Sequence, residues 1–260
     1  MRFRRSRLLS MPIVCKSVTE IEKMRRSGRV VRQVLDAVKE VVAPGVTTMD
    51  LERVAEQKIK DLGAKPAFKG LYGFPCVLCT SVNNEVVHGI PSDKRLLKAG
   101  DIVSIDTGAV LDGYYGDSAI TVAVDGQVSP ELQKLLDVTR ESLYRGIEAA
   151  QVGNTVGDIG AAVQGLVEAN GFSVVRTLVG HGIGTKLHED PQVPNYGMPG
   201  SGPKLRAGMV LAIEPMVNMG RPGVRVLADN WTEVTEDGSY SAHFEHSVAV
   251  TRNGPVILTE

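Results

Sequence analysis

The sequence predicts an α+β fold made of two similar halves, in which helices pack on the outside of a largely antiparallel sheet. The first observation is an internal repeat, because residues 43–51 (APGVTTMDL) align without gaps with residues 151–159 (QVGNTVGDI). The second is that the same offset of 108 residues relates 97–106 (LKAGDIVSID) to 205–214 (LRAGMVLAIE). Two separate matches at one offset indicate a duplicated unit rather than coincidence.

Each copy of the first repeated segment resembles the start of a helix. Thr47 and Thr155 stand three residues before Asp50 and Asp158, which is the spacing of a capping box. The helical pattern that follows ends at a glycine in both copies. The second repeated segment is typical of a glycine turn followed by an apolar strand that ends in a carboxylate.

The opening helix of each half is predicted from similar cues. Residues 17–42 form a helical pattern, and Ser17 with Glu20 has the spacing of a capping box. In the second half Ser129 precedes Pro130, and proline is favoured at the first position of a helix. Each half therefore consists of two helices followed by strands.

We expect one catalytic domain, residues 17–260, with halves of about 17–125 and 126–260, because no low-complexity linker separates them. A functional site is expected between the halves. Residues 1–16 are predicted to be a disordered basic arm; a remnant of a targeting segment and a true start at Met11 are the alternatives.

Composition limits the classes of function. The formal net charge is −1, so no global charge favours nucleic acid or an anionic membrane, and no apolar run reaches the roughly 18–20 residues of a membrane helix. The three cysteines, Cys15, Cys76 and Cys79, are too few for a disulfide framework. Cys76 and Cys79 are interpreted as buried or pocket-lining thiols.

Four carboxylates occur in or beside apolar strands, where burial of a charge is costly. They are Asp106, Asp117, Glu214 and Glu245, two in each half, and they predict a bound cation. His181 lies between two glycines that free the backbone to turn and project the imidazole. This oxygen-rich set with one imidazole suits Mn²⁺, Fe²⁺, Co²⁺ or Zn²⁺, and bridging carboxylates can hold two ions about 3.5–4 Å apart.

Two further histidines are candidates for handling a substrate. His88 lies in a His-Gly-Ile tripeptide that echoes the one at His181, and His188 follows in the longer second half. Other hydrolytic signatures are absent from the sequence: there is no Gly-x-Ser-x-Gly elbow and no His-Glu-x-x-His. Pro203 replaces the lysine that a phosphate-binding loop requires.

Together these residues resemble the type I methionine aminopeptidases, which have the pita-bread fold. The resemblance covers residues 17–260. The motifs that carry it are residues 84–91 (NEVVHGIP), 101–106 (DIVSID), 113–117 (GYYGD), 180–191 (GHGIGTKLHEDP), 212–215 (AIEP) and 243–246 (HFEH).

The resemblance implies two divalent ions on five ligands: Asp106, Asp117, His181, Glu214 and Glu245. Asp117 and Glu245 would bridge the two ions. Glu214 would also exchange the proton of the attacking water. His188 would donate to the developing oxyanion, and His88 would orient the scissile amide.

The resemblance also implies an apolar pocket for a methionine side chain, lined by Phe68, Phe74, Cys79, Leu187 and Trp231. The sequence departs from many relatives at Leu178, where they have an aromatic residue. Some relatives also have cysteine at Phe68 and phenylalanine at Leu187. A monovalent cation near Asn83 and Ser241 is a further implication.

The implied reaction is removal of the initiator methionine from nascent chains whose second residue is small. A cytoplasmic location is therefore expected. We also expect a monomer that makes a weak ribosome contact through the arginine-rich arm and binds neither a membrane nor specific nucleic acid. Two alternatives remain. A proline-directed aminopeptidase or prolidase would use the same metals on another substrate, and a non-catalytic binding module would have lost metal ligands.

Overall fold

Four α-helices are arranged as two pairs, one in each predicted half. The computed structural model describes residues 12–260. Within that range the helices are α1 (Val18–Val41), α2 (Thr48–Asp61), α3 (Pro130–Ala149) and α4 (Val156–Ala169). Complete capping boxes begin α1, α2 and α4, and Ser129 caps α3 ahead of Pro130. The predicted helix starts are therefore confirmed. The caps stabilise them by accepting hydrogen bonds from first-turn amides that have no partner within the helix.

The strands form one sheet of nine strands and two sheets of three in the described part of the chain. They are β1 (Lys65–Pro66), β2 (Leu78–Val82), β3 (Glu85–Val87), β4 (Ile102–Leu111), β5 (Tyr114–Ala123), β6 (Ser173–Val174), β7 (Gly180–Gly182), β8 (Glu189–Val193), β9 (Val210–Ile213), β10 (Met216–Asn218), β11 (Val224–Val226), β12 (Glu233–Thr235), β13 (Ser241–His243), β14 (Glu245–Thr251) and β15 (Gly254–Ile257).

The large sheet is antiparallel, with the order β1-β4-β5-β14-β9-β7-β8; β2 also pairs with β4, and β15 with β14. The halves meet where β5 pairs with β14. The 108-residue offset is also visible in the backbone, since Thr47 bridges Leu96 and Thr155 bridges Lys204. The predicted α+β class with two duplicated halves is confirmed.

The helices cover one face of the large sheet and bury two apolar clusters there. Leu51 and Ile105 belong to the cluster of the first half, Leu135 and Ile213 belong to that of the second, and Ile120 of β5 packs against both. Each fully buried side chain of this size contributes roughly 1.5–3 kcal/mol. Because side chains alternate along a strand, Asp106, next to Ile105, lies on the opposite face, away from the helices.

Two predictions concern the chain outside this core. Residues 1–11 of the predicted basic arm lie outside the described residues. Lys16, which that prediction also placed in the arm, is buried and belongs to the folded part. Among residues 12–260, no helix combines the length and apolar character that crossing a bilayer demands.

Candidate metal centre

Strand register brings three carboxylates to one face of the sheet. Asp106 of β4 and Glu245 of β14 pair with the same residue, Ala119 of β5, from its two sides. Asp117 precedes Ala119 by two residues and therefore shares its face. The small side chain of Ala119 separates Asp106 from Glu245, so three carboxylates surround a methyl group in the middle of the sheet.

The second half adds Glu214 and His181. Glu214 directly follows β9, and His181 of β7 pairs with Ala212, two residues before it. The sequence predicted that the glycines beside His181 would let the backbone turn. Residues 180–182 instead form a strand. A Cβ atom on Gly180 would overlap the carbonyl oxygen of Ala212. Glycine is needed here for close approach of neighbouring strands.

The five predicted ligands form one buried cluster. Nε2 of His181 lies 3.8 Å from Oδ2 of Asp117 and 3.6 Å from Oε1 of Glu214. One ligand atom from each of Asp117, His181 and Glu245 lies within 4.8 Å of the others. Among the described residues, Asp106 Oδ1, Asp117 Oδ1 and Glu245 Oε1 are buried without a hydrogen-bond donor. Buried acceptors without donors are costly, so the donor set fits divalent cations.

The electrostatics of the cluster supports the same interpretation. Burial, followed by repulsion between neighbouring carboxylates, raises the pKa of Asp117 and Glu245 well above their usual values. Burial raises the pKa of Asp106 to about 7 and that of Glu214 to about 8. Burial also lowers the pKa of His181 to about 3. A bound cation would favour the ionised form of these carboxylates and so lower their pKa. It would also bind the neutral form of the imidazole, which is the form present here.

His88 and His188 lie beside this cluster, in the walls of the same cavities. The His188 ring packs edge-on against His181, 4.5 Å between centroids, and stacks over Tyr72 at 6.3 Å. His88 has a left-handed backbone, with φ of 60°. The next residue, Gly89, donates its N–H to Ser81 Oγ. Burial lowers the pKa of both imidazoles, that of His88 to about 4, so both rings are neutral near pH 7 and can donate one hydrogen bond.

The two His-Gly-Ile tripeptides are not structural equivalents. His181 pairs with Ala212, two residues before Glu214. In the first half, the residue opposite Ser104, two residues before Asp106, is Ser81. Ser81 thus occupies the position that corresponds to His181. The His-Gly-Ile tripeptide at His88 is similar to that at His181 in sequence only.

Two adjoining cavities share the cluster. The smaller, of about 190 Å³, is lined by all five residues predicted for the methionine pocket: Phe68, Phe74, Cys79, Leu187 and Trp231. Phe74 contacts Trp231 edge-on at 5.1 Å. The larger, of about 320 Å³, is lined by Leu178, Met216 and Gln192, together with His88 and His188. Asp106, His181 and Glu214 belong to the walls of both cavities.

Several residues that line these cavities were not singled out from the sequence, among them His243, Leu71 and Tyr72. Nε2 of His243 lies 3.6 Å from Oε2 of Glu214 and is buried without a hydrogen-bond partner in the described residues. His243 precedes Glu245 by two residues, a spacing that places two side chains on the same face of an extended chain. Leu71 and Tyr72 lie in a short 3₁₀ turn beside the smaller cavity, and no motif marked them.

The residues predicted to lie near a monovalent cation are neighbours in the structure. The Ser241 N–H donates to the carbonyl oxygen of Asn83 at 2.9 Å, and Asn83 has a left-handed backbone with φ of 61°. The Asn83 side chain donates to Asp101. The cation itself stays a prediction.

Comparison with known proteins agrees with this geometry. The model of metallopeptidase family M24 matches residues 22–252. A methionine aminopeptidase from Clostridium perfringens is 57% identical over 247 residues, which are 95% of this chain and 98% of that protein.

Solved structures show the same relationship. A methionine aminopeptidase from Thermotoga maritima superposes with a TM-score of 0.94 at 49% identity, covering 95% of this chain and 99% of that one. A prolidase from Pyrococcus horikoshii shares the fold with a TM-score of 0.77 at 24% identity, and this chain covers 64% of it. The resemblance inferred from the motifs is confirmed: the chain belongs to the methionine aminopeptidases of metallopeptidase family M24, which are metal-dependent hydrolases with the pita-bread fold.

Proposed function

We propose that this protein removes the N-terminal methionine from newly made polypeptides whose second residue is small. The observation that carries the proposal is the arrangement of an apolar cavity of about 190 Å³ directly beside a buried cluster of four carboxylates and an imidazole. One part selects an apolar side chain, and the other holds the metal ions that hydrolysis requires.

The smaller cavity suits a methionine side chain. Phe68, Phe74 and Trp231 present aromatic surfaces, and Cys79 and Leu187 complete the wall. A thioether is flexible and polarizable, and contacts between sulfur and aromatic rings are worth about 0.3–1.5 kcal/mol each. The free amine of the substrate would then lie near Asp106, at the end of the cavity closest to the cluster.

We propose that Asp106, Asp117, His181, Glu214 and Glu245 would hold two divalent ions. When bound, such ions lower the pKa of water and polarise the scissile carbonyl. The donor set of oxygen and one imidazole accepts Mn²⁺, Fe²⁺, Co²⁺ or Zn²⁺.

The protein's own side chains supply the proton transfers and the orientation. Glu214 would take the proton of the attacking water and return it to the leaving amine. The neutral imidazole of His188 would donate a hydrogen bond to the oxyanion. His88, in the wall of both cavities, would hold the scissile amide. His243, whose Nε2 lies 3.6 Å from Glu214 Oε2, would help to keep that carboxylate in one orientation.

The larger cavity would hold the second residue of the substrate. A long second side chain would clash with the site wall, whereas alanine would not. Cleavage of Met-Lys and Met-Ala peptides at the same rate would contradict this steric explanation.

The first experiment restores Mn²⁺, Co²⁺, Fe²⁺ or Zn²⁺ in turn to metal-free protein and measures methionine release from Met-Ala-Ser, with Glu214→Gln in parallel. We expect release that needs metal and collapses in the variant. Xaa-Pro peptides are the control for the proline-directed alternative, whose members share the fold. Cleavage of Xaa-Pro peptides alone would overturn the proposal, and a folded protein that binds no metal would indicate a binding module.

The cellular setting follows from the proposed substrate. Nascent N-termini arise in the cytoplasm, so we propose that residues 17–260 act there as a single catalytic domain and as a monomer. The arginine-rich residues 1–10 would give a weak ribosome contact. Unchanged ribosome pelleting after their deletion would remove that part of the proposal.

A further inference from the structure

Lys16 forms a buried ion pair beside the candidate metal centre. Its Nζ lies 2.6 Å from Oε2 of Glu189, and the two side chains are 4% and 11% exposed. The other lysine and arginine ion pairs of residues 12–260 are more exposed, such as Arg26 with Asp112 at 53% and 49%. A buried ion pair needs accurate geometry to offset the loss of hydration, so the position of the Lys16 ammonium group is tightly defined.

Backbone contacts deliver the Lys16 side chain to this place. The Lys16 N–H donates to the carbonyl oxygen of Gly208 at 2.6 Å, and the Gly208 N–H donates to Val250 in β14 at 2.9 Å. Nζ also donates to the carbonyl oxygen of Val14. The segment ahead of α1 is therefore attached to the sheet of the second half.

Glu189 joins Lys16 to the turn that precedes β8. Its second oxygen, Oε1, accepts the Lys186 N–H at 3.1 Å, and the Gly184 N–H donates to the Lys186 carbonyl. A Cβ atom on Gly184 would lie 2.5 Å from Cε of Lys16. Gly184 therefore packs directly against the ion pair, and the Glu189 carboxylate links the lysine to the backbone of the turn.

This turn carries Leu187 and His188. Leu187 is buried in the wall of the smaller cavity. The His188 ring lies between His181 and Tyr72. Glu189 directly follows His188, so the contacts of its carboxylate restrain the backbone next to the histidine. Tyr72 is 79% exposed and offers little restraint from the other side.

We propose that Lys16 is a positioning residue for His188. Its charge holds Glu189, Glu189 holds the turn 184–189, and the turn aims the His188 imidazole across the cluster and places Leu187 in the pocket wall. The effect on catalysis rests on the proposed function, in which His188 contacts the reacting carbonyl. The effect on the His188 ring does not depend on that function.

The alternative is that the ion pair only stabilises the fold. A purely stabilising pair would lower the melting temperature when broken, but the remaining folded protein would keep its kcat. Loss of positioning instead lowers kcat in fully folded protein, because a misplacement of about 1 Å can cost about 100-fold in rate.

The test compares Lys16→Met, which removes the charge, with Lys16→Arg, which keeps it. Val163→Ala is the matched control, because it destabilises a buried site in α4 far from the cluster. Measurements at a temperature where all variants are folded are kcat and KM on Met-Ala-Ser. The ring signals of ¹⁵N-labelled histidines are followed in parallel. His246, hydrogen-bonded to Thr259 outside both cavities, is the internal reference.

We expect Lys16→Met to lower kcat about 100-fold with less than about a threefold change in KM, and to shift the His188 ring signals but not those of His246. Lys16→Arg should retain most activity, and Val163→Ala should lower only the melting temperature. If Lys16→Met does not fold, Glu189→Gln is measured in the same way.

Unchanged His188 signals in the charge-removing variant, or a kcat equal to that of Val163→Ala, would overturn the inference. A wild-type protein that fails to cleave Met-Ala-Ser, with His188 signals that still move in Lys16→Met, would overturn the proposed function and leave the positioning role standing.

Discussion

The two halves have the same backbone plan but make different contributions to the site. Asp106 and Glu214 stand at equivalent positions, 108 residues apart. In the first half, β4 and β5 are joined by the tight turn at Asp112 and Gly113, both with positive φ. In the second half, residues 214–244 separate β9 from β14 and include β10 to β13. The duplicated strands supply carboxylates symmetrically, whereas the long insertion supplies side chains found in one half only.

This difference separates metal binding from substrate binding. Met216, Trp231 and His243 all come from the insertion and line the cavities. The strand positions next to the carboxylates also diverge, since Ser81 stands where the second half has His181. Substitutions in equivalent strands therefore test the metal site, and those in the insertion test selection of the substrate.

The largest expected effect distinguishes the two equivalent carboxylates. Glu214→Gln should lower kcat about 10⁴-fold, because it removes a proton acceptor as well as a proposed ligand. Asp106→Asn should mainly weaken metal binding, so excess Mn²⁺ should restore part of its activity. Metal titrations with kcat at each concentration are the measurement. Equal loss in both variants at saturating metal would mean that Glu214 has no role beyond binding.

The second prediction concerns His181 and Ser81, which occupy equivalent strand positions in the two halves. His181→Ser gives the second half the residue type of the first and should abolish tight metal binding, because the proposed imidazole ligand is lost. Ser81→Ala should leave metal affinity unchanged and cost about 1 kcal/mol of stability, through loss of the hydrogen bond from Gly89. Calorimetric metal titration and thermal unfolding measure both. Weaker metal binding by Ser81→Ala would break the proposed division of roles.

The third prediction concerns the insertion. Trp231→Ala should raise KM for Met-Ala-Ser and lower kcat/KM about 100-fold, since the pocket loses aromatic surface that contacts Phe74. Metal affinity should not change. Steady-state kinetics combined with metal titration separate the two effects, and a loss of metal affinity would show that this wall also supports the cluster.

The smallest expected effect is a pH dependence of the metal-free protein. Burial raises the pKa of Asp106 to about 7 and of Glu214 to about 8, so up to those values the folded state binds more protons than the unfolded chain. Stability from these groups is complete below about pH 4 and is lost as pH rises. The lowered pKa values of His181 and His88, about 3 and about 4, act in the opposite sense below about pH 6.5.

The net fall in stability should therefore appear between about pH 6.5 and 8. Thermal unfolding of metal-free protein across this range should show a decreasing melting temperature, and added Mn²⁺ should remove or reverse the trend. The variant Glu214→Gln is the control, because it lacks one of the four carboxylates whose pKa burial raises. A melting temperature that rises from pH 6.5 to 8 without metal would contradict the charge states described for the cluster.

Local sequence patterns predict much of this architecture. Capping boxes such as Thr47 with Asp50 act over three residues, so their spacing alone predicts helix starts. The carboxylates at the ends of apolar strands are conspicuous because a buried charge needs compensation. The family motifs then predicted the pocket residues, and Phe74 and Trp231 do line one cavity.

Other features depend on contacts between distant parts of the chain. The pairing of Ser81 with Ser104 follows from strand register, which no tripeptide motif reveals, so the similar tripeptides at His88 and His181 do not mark equivalent positions. His243 meets Glu214 only because β10 and β13 pair. Lys16 and Glu189 are 173 residues apart. Local propensities act over a few residues and can be read from the chain directly, whereas register, burial and long-range charge pairing exist only after the two halves have packed together.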